Sequence, residues 1–128
     1  MKQIKNVKMG IIALLLMLSI QGFAQKNGEN LIGKWQTEDN TVLEVFKSDN
    51  VFSIKQLTAS KEKEKKNNGK IIAKKVAFTE GSTFKGIVID PSNNKEYDAF
   101  FIVAADGKSL KLKVKWGFIN FNETWKKL

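Results

Sequence analysis

The sequence predicts an all-β domain: a single small antiparallel barrel of seven or eight strands, with a flattened β-sandwich as the alternative. Three observations point there. Short segments rich in Val, Ile, Phe and Thr are separated by clusters of Asn, Asp, Gly, Ser and Pro, the chemistry of strands and turns. Beyond residue 24, no stretch keeps a helical period with an apolar face to bury. The third is the alternation from Leu110 to Trp116, where Leu110, Leu112, Val114 and Trp116 fall on one face and Lys111, Lys113 and Lys115 on the other. Side chains alternate sides along a strand, so one face belongs to a core and the other to water.

The elements follow in order. Lys2, Lys5 and Lys8 form a basic start, Gly10 to Ile20 is an uncharged apolar run, and Gly22-Phe23-Ala24 supplies small residues for cleavage after Ala24. These are the three parts of a secretory signal peptide, and the run is shorter than the roughly 20 residues that a membrane-spanning helix needs. The division expected is a cleavable signal at 1–24 and one domain at 25–128, exported to the periplasm or secreted, with no transmembrane segment in the mature protein. Thr41 to Lys47 and Val51 to Leu57 make a hairpin about Ser48-Asp49-Asn50. Lys61 to Gly69 (KEKEKKNNG) has no apolar residue and reads as a solvated loop, at most a short helical turn with no face to bury. Ile71 to Phe78, Phe84 to Ile89 and Tyr97 to Ala104 are further strands; Glu80-Gly81-Ser82, Pro91-Ser92-Asn93-Asn94 and Asp106-Gly107 separate them. After Leu110 to Trp116, Gly117-Phe118 turns the chain into Ile119 to Lys127, where Ile119, Phe121 and Trp125 share a face. Phe100 and Phe101 are adjacent, so one of them must lie outside the core.

Composition narrows the chemistry. The domain carries 19 lysines against 13 acidic residues and has no Arg, His or Cys. Disulfides, thiolate or imidazole metal sites and Ser-His-Asp or Cys-His triads are therefore excluded. Paired carboxylates, a Ser-Lys pair or an all-oxygen calcium site remain, and no spacing signals any of them; no cofactor and no metal is expected. Nucleic acid is not an expected partner, because Arg is absent and no aromatic residues interleave with the basic stripe.

Two resemblances follow from particular residues. Gly33-Lys34-Trp35, answered by Trp125-Lys126 near the C-terminus, resembles the calycin pattern of lipocalin-like barrels. That resemblance implies that Gly33, Trp35, Trp125 and Lys126 close the barrel floor, with a basic side chain over the Trp35 indole. From Gly33 to Lys126 the chain also resembles the exported bacterial family catalogued as domain of unknown function 2147. The most specific segment is Gly86-Ile87-Val88-Ile89-Asp90-Pro91-Ser92-Asn93-Asn94-Lys95-Glu96-Tyr97. Asn94 stands where that family usually has Gly, and Lys126 where Arg is usual. The family carries no assigned reaction, so the resemblance speaks to fold.

Function stays open between three classes. The first is a non-catalytic binding module for a small apolar or amphipathic ligand, with Trp35, Phe84, Tyr97 and Trp116 pointing inward to meet it. The second is an interaction module whose lysine face meets an anionic envelope polymer, a lipid or a partner protein. The third is a carboxylate hydrolase using Asp90. The Asp90-Pro91-Ser92-Asn93-Asn94-Lys95 segment also has a purely structural reading, with Asp90 capping the turn and Pro91 fixing its first corner. Whether the barrel interior is filled by its own side chains or hollow is not fixed by strand number alone.

Overall fold

The computed structural model describes residues 28–128. The expected signal segment lies outside the described residues. Eight strands follow in chain order: β1 (Gly33–Gln36), β2 (Val42–Ser48), β3 (Val51–Thr58), β4 (Ile71–Glu80), β5 (Thr83–Ile89), β6 (Glu96–Val103), β7 (Ser109–Trp116) and β8 (Ile119–Lys127). Each strand pairs antiparallel with the next, and β8 returns to β1, so the sheet is a closed barrel rather than a sandwich. Closure leaves no edge strand exposed, which suits a chain this rich in β-branched and aromatic residues.

The inward face is the apolar register of each strand. Leu43, Val45, Ile54, Phe84, Ala99, Phe101, Leu110 and Trp125 are all buried. The Phe100–Phe101 pair divides as alternation demands: Phe101 is fully buried, while Phe100 is on the outer surface with the Lys85 ammonium 6.0 Å from its ring centroid. In β4 the register slips between Lys74 and Ala77, and Lys75 takes φ 54°. This bulge brings Ala73 and Val76 both into the core, where strict alternation would have sent Lys75 inward. Gly86 on β5 accommodates the result. A Cβ there would lie 2.6 Å from Val76 Cγ2 and 3.0 Å from Val76 Cα.

One end of the barrel is sealed. A helical turn at 28–31 carries Leu31 beneath the floor, and Trp35 Nε1 donates a 2.9 Å hydrogen bond to the Leu31 carbonyl. The cation over the Trp35 indole is Lys127, with Nζ 4.7 Å from the ring centroid, and not Lys126 as the calycin pattern implied. The reason is strand alternation: Trp125 and Lys127 share the inward face of β8, and Lys126 between them is exposed outside. Lys127 Nζ also donates to the carbonyls of Asn30, at 2.9 Å, and Ile32. Gly33, with φ 132°, leaves the room this requires, since a Cβ there would stand 3.0 Å from the Lys127 side-chain end.

The segment expected to be a solvated loop contains a 3-10 helix, Glu62–Asn67, at the rim of the other end. Asn67 is buried, and Asn68 Oδ1 accepts hydrogen bonds from the Ala59 N–H at 2.9 Å and Gln56 Nε2 at 3.1 Å. The helix is thus anchored by amide side chains, which an argument from apolar faces overlooks.

Candidate functional site

The end opposite Trp35 is open, and a cavity of about 380 Å³ runs down from it into the barrel. Four connections surround its mouth: the β1–β2 turn (37–41), the 3-10 helix segment, the β5–β6 turn (90–95) and the β7–β8 turn. Its apolar wall comes from Leu43, Ile72, Val88, Leu112 and Val114. Above these stands an aromatic group. The rings of Tyr97 and Trp116 meet edge to face with centroids 5.6 Å apart, and Phe121 stacks on Trp116 at 5.7 Å.

The remaining wall is polar, and β8 supplies its centre. Phe121, Glu123 and Trp125 follow one another down the inward face, so Glu123 sits below the aromatic rim and Trp125 deeper still. Burial raises the Glu123 pKa above the ordinary carboxylate value. The neighbouring Asp39 and Glu38 charges push the same way, against the Glu38 backbone N–H and the Trp125 indole, which lower it. The Trp125 indole is buried beside this carboxylate. Gln56 and Thr41 are also buried in this wall. Gln56 Nε2 is held by the Glu64 carbonyl at 3.2 Å as well as by Asn68.

Charge at the mouth is mixed. Asp39, Glu64, Asp90 and Glu123 line the cavity together with Lys61 and Lys63. Asp39 is kept below its ordinary pKa first by the Thr37 hydroxyl, although burial acts against this. Asp90 is likewise lowered, first by the Ser92 hydroxyl and then by the Ser92 N–H. Both Ser92 groups donate to Asp90 Oδ1, at 2.7 and 2.9 Å, and the Asp90 carbonyl accepts the Asn94 N–H at 2.8 Å. This is the turn-capping arrangement; Asn94 occupies a left-handed φ of 61°.

Of the residues singled out in the sequence, the structure brings Tyr97, Trp116, Asp90 and Pro91 together around one cavity, with Trp125 deeper in its wall. Trp35 belongs to the sealed floor, and Phe84 lies in an edge-to-face cluster with Phe52 and Phe78; neither lines the cavity. Asn93 and Lys95 shape the turn, with Asn93 Oδ1 accepting the Lys95 N–H at 2.9 Å. Glu123 and Gln56 were not anticipated. The signal for Glu123 was present, because it is the one acidic residue in the alternation Ile119, Phe121, Glu123, Trp125.

The fold defines the class: this is a lipocalin-like barrel. It is similar to protein HP1028 from Helicobacter pylori, which belongs to the lipocalin family, with a TM-score of 0.61 and 18% sequence identity. The match covers 77% of this chain and 82% of that one. No family model and no curated protein matches the chain. Among the described residues no helix is long and apolar enough to cross a membrane.

Proposed function

We propose that this protein is a non-catalytic binding module of the cell envelope. On this reading it is exported after cleavage near Ala24, belongs to the family of domain of unknown function 2147, and holds a small apolar or amphipathic ligand. One observation carries the reading. The open cavity of about 380 Å³ has an apolar lower wall and an aromatic rim of Tyr97, Trp116 and Phe121. Its volume falls at the small end of the roughly 300–1,000 Å³ typical of ligand pockets. Native mass spectrometry on the protein secreted through its own signal tests this. An extra mass that survives high salt and vanishes on denaturation is expected. A clean mass for residues 25–128, unchanged by a panel of lipids, would sink the carrier.

A second reading has its own observation. At the β7–β8 turn Phe118 is fully exposed, Ile119 is 67% exposed, and Lys111, Lys113 and Lys115 run up the outer face of β7. An apolar tip above a basic stripe suits an anionic lipid surface. Sedimentation with anionic vesicles that is lost by about 0.5 M salt, where screening falls well below 10 Å, supports it. Binding that ignores salt removes it. The hydrolase reading gains nothing from Asp90, whose carboxylate is occupied by Ser92. Asp90→Asn is expected to lower stability without abolishing any activity.

A further inference from the structure

The carboxylates around the cavity differ in how their own chain satisfies them. Asp39 accepts from the Thr37 hydroxyl and the Thr41 N–H, and the Lys61 charge acts on it. Asp90 is held by Ser92, with the Lys95 charge acting on it. Glu123 has the Trp125 indole beside it and a long bond of 3.4 Å from the Glu38 N–H. The charges that bear on it, Asp39 and Glu38, are both negative. Glu123 is half-buried on the inward face of β8 and stands opposite Leu112 in the ladder, while Phe121 stands opposite Val114. Its carboxyl therefore faces the cavity one layer below the aromatic rim, at the level of the aliphatic wall. Lys61 and Lys63, the lysines of the cavity among the described residues, are exposed on the helix segment.

Resting on the carrier reading, we infer that the ligand is an organic amine. Its ammonium group pairs with Glu123, and its apolar body packs against Leu112, Val114 and the ring of Trp116. A carboxylate offers about four lone-pair sites, and the indole and the Glu38 N–H leave some of these free for an ammonium donor. The ammonium brings the positive charge that this half-buried carboxylate lacks among its neighbours, and aromatic faces such as those of the rim attract cations as well. A neutral ligand with the same body buries Glu123 further and brings no charge to offset the desolvation. An anion is set against Asp39, Asp90 and Glu123 together. It meets Lys61 or Lys63 only at the exposed mouth, where pairing in water contributes little.

The test is displacement of the neutral fluorophore N-phenyl-1-naphthylamine, at mildly alkaline pH, from the protein secreted through its own signal. The competitors share one octyl chain: octylammonium, octyltrimethylammonium, octanol and octanoate. Octylammonium is expected to compete about tenfold better than octanol, the worth of a charge-assisted hydrogen bond, with octanoate the weakest. Octyltrimethylammonium has the charge but no N–H to donate, and is expected between octylammonium and octanol. Glu123→Gln, nearly isosteric, is expected to bring octylammonium within about twofold of octanol while octanol itself changes little. The readout is that ratio, which a loosened fold that weakens every octyl compound leaves unchanged. Octanol or octanoate equal to or better than octylammonium on the unaltered protein overturns the inference, as does a Glu123→Gln protein that keeps the ammonium preference. A fluorophore and octyl compounds that do not bind at all instead remove the carrier reading itself, so the two failures are distinct.

Discussion

At the scale of single residues, Glu123 and Lys127 occupy inward positions of one strand on either side of Trp125 and are governed by opposite balances. Burial raises the Glu123 pKa, so the folded protein holds that proton more tightly than the unfolded chain does. The associated cost is absent below the unfolded pKa and grows as pH rises through the window up to the raised folded value. Glu123→Gln is therefore expected to raise Tm at mildly alkaline pH, with the gain vanishing on strong acidification; calorimetry across that range is the check. Lys127 is partly desolvated as well, which lowers its pKa, but it stacks on Trp35 and ties down two carbonyls. Lys127→Met is expected to cost about 1–3 kcal/mol in urea unfolding, against less than about 0.5 kcal/mol for Lys126→Met on the outer face. Gly86→Ala drives a Cβ into Val76, including its backbone, and is expected to cost about 1–3 kcal/mol or more, as overpacking does.

At the scale of elements, legibility tracked the chemistry that holds each one. β7 was plain because Leu110, Leu112, Val114 and Trp116 alternate with lysines, so a single rule fixes strand and face together. β4 was found but its facing was not. The bulge at Lys75 is required by packing against Gly86, which lies in another segment of the sequence. The same limit explains the cavity. Tyr97 and Trp116 were seen as inward aromatics, yet depth inside a barrel depends on register between strands, which placed Trp35 and Phe84 away from the cavity. The 3-10 helix is the clearest case, since its anchor is Asn68 rather than any apolar face. Asn68→Ala leaves the Ala59 N–H and Gln56 Nε2 without that acceptor, and a loss of about 1–2 kcal/mol is expected. Faster amide exchange confined to residues 59–70 would tie that loss to the helix; exchange spread over the barrel would point to a general effect.

At the scale of the whole molecule, the barrel separates two charge environments. The exterior is basic, in keeping with a formal net charge of +9 for the full sequence, while four carboxylates gather at the cavity against two lysines. This asymmetry would draw the protein toward anionic surfaces without drawing anions into the cavity, so salt is expected to act on surface association and hardly on ligand affinity.

The pairing of β1 with β8 joins segments far apart in sequence, and it is also brief: Trp35 with Lys127 and Gln36 with Lys126. Beyond it the two sides are held by the Thr124 N–H donating to Glu38 at 2.8 Å. The other seven pairings are each joined by a turn or short connection, so this one depends on closing a long loop and is expected to form late. Before it forms, a chain presents two complementary unpaired edges, and a second chain can satisfy both. The joint that makes the barrel self-contained is thus the place where two copies would exchange strands. Refolding at high protein concentration is expected to give a strand-swapped dimer, separable by size exclusion, and weakening the clasp with Glu38→Ala is expected to increase its share.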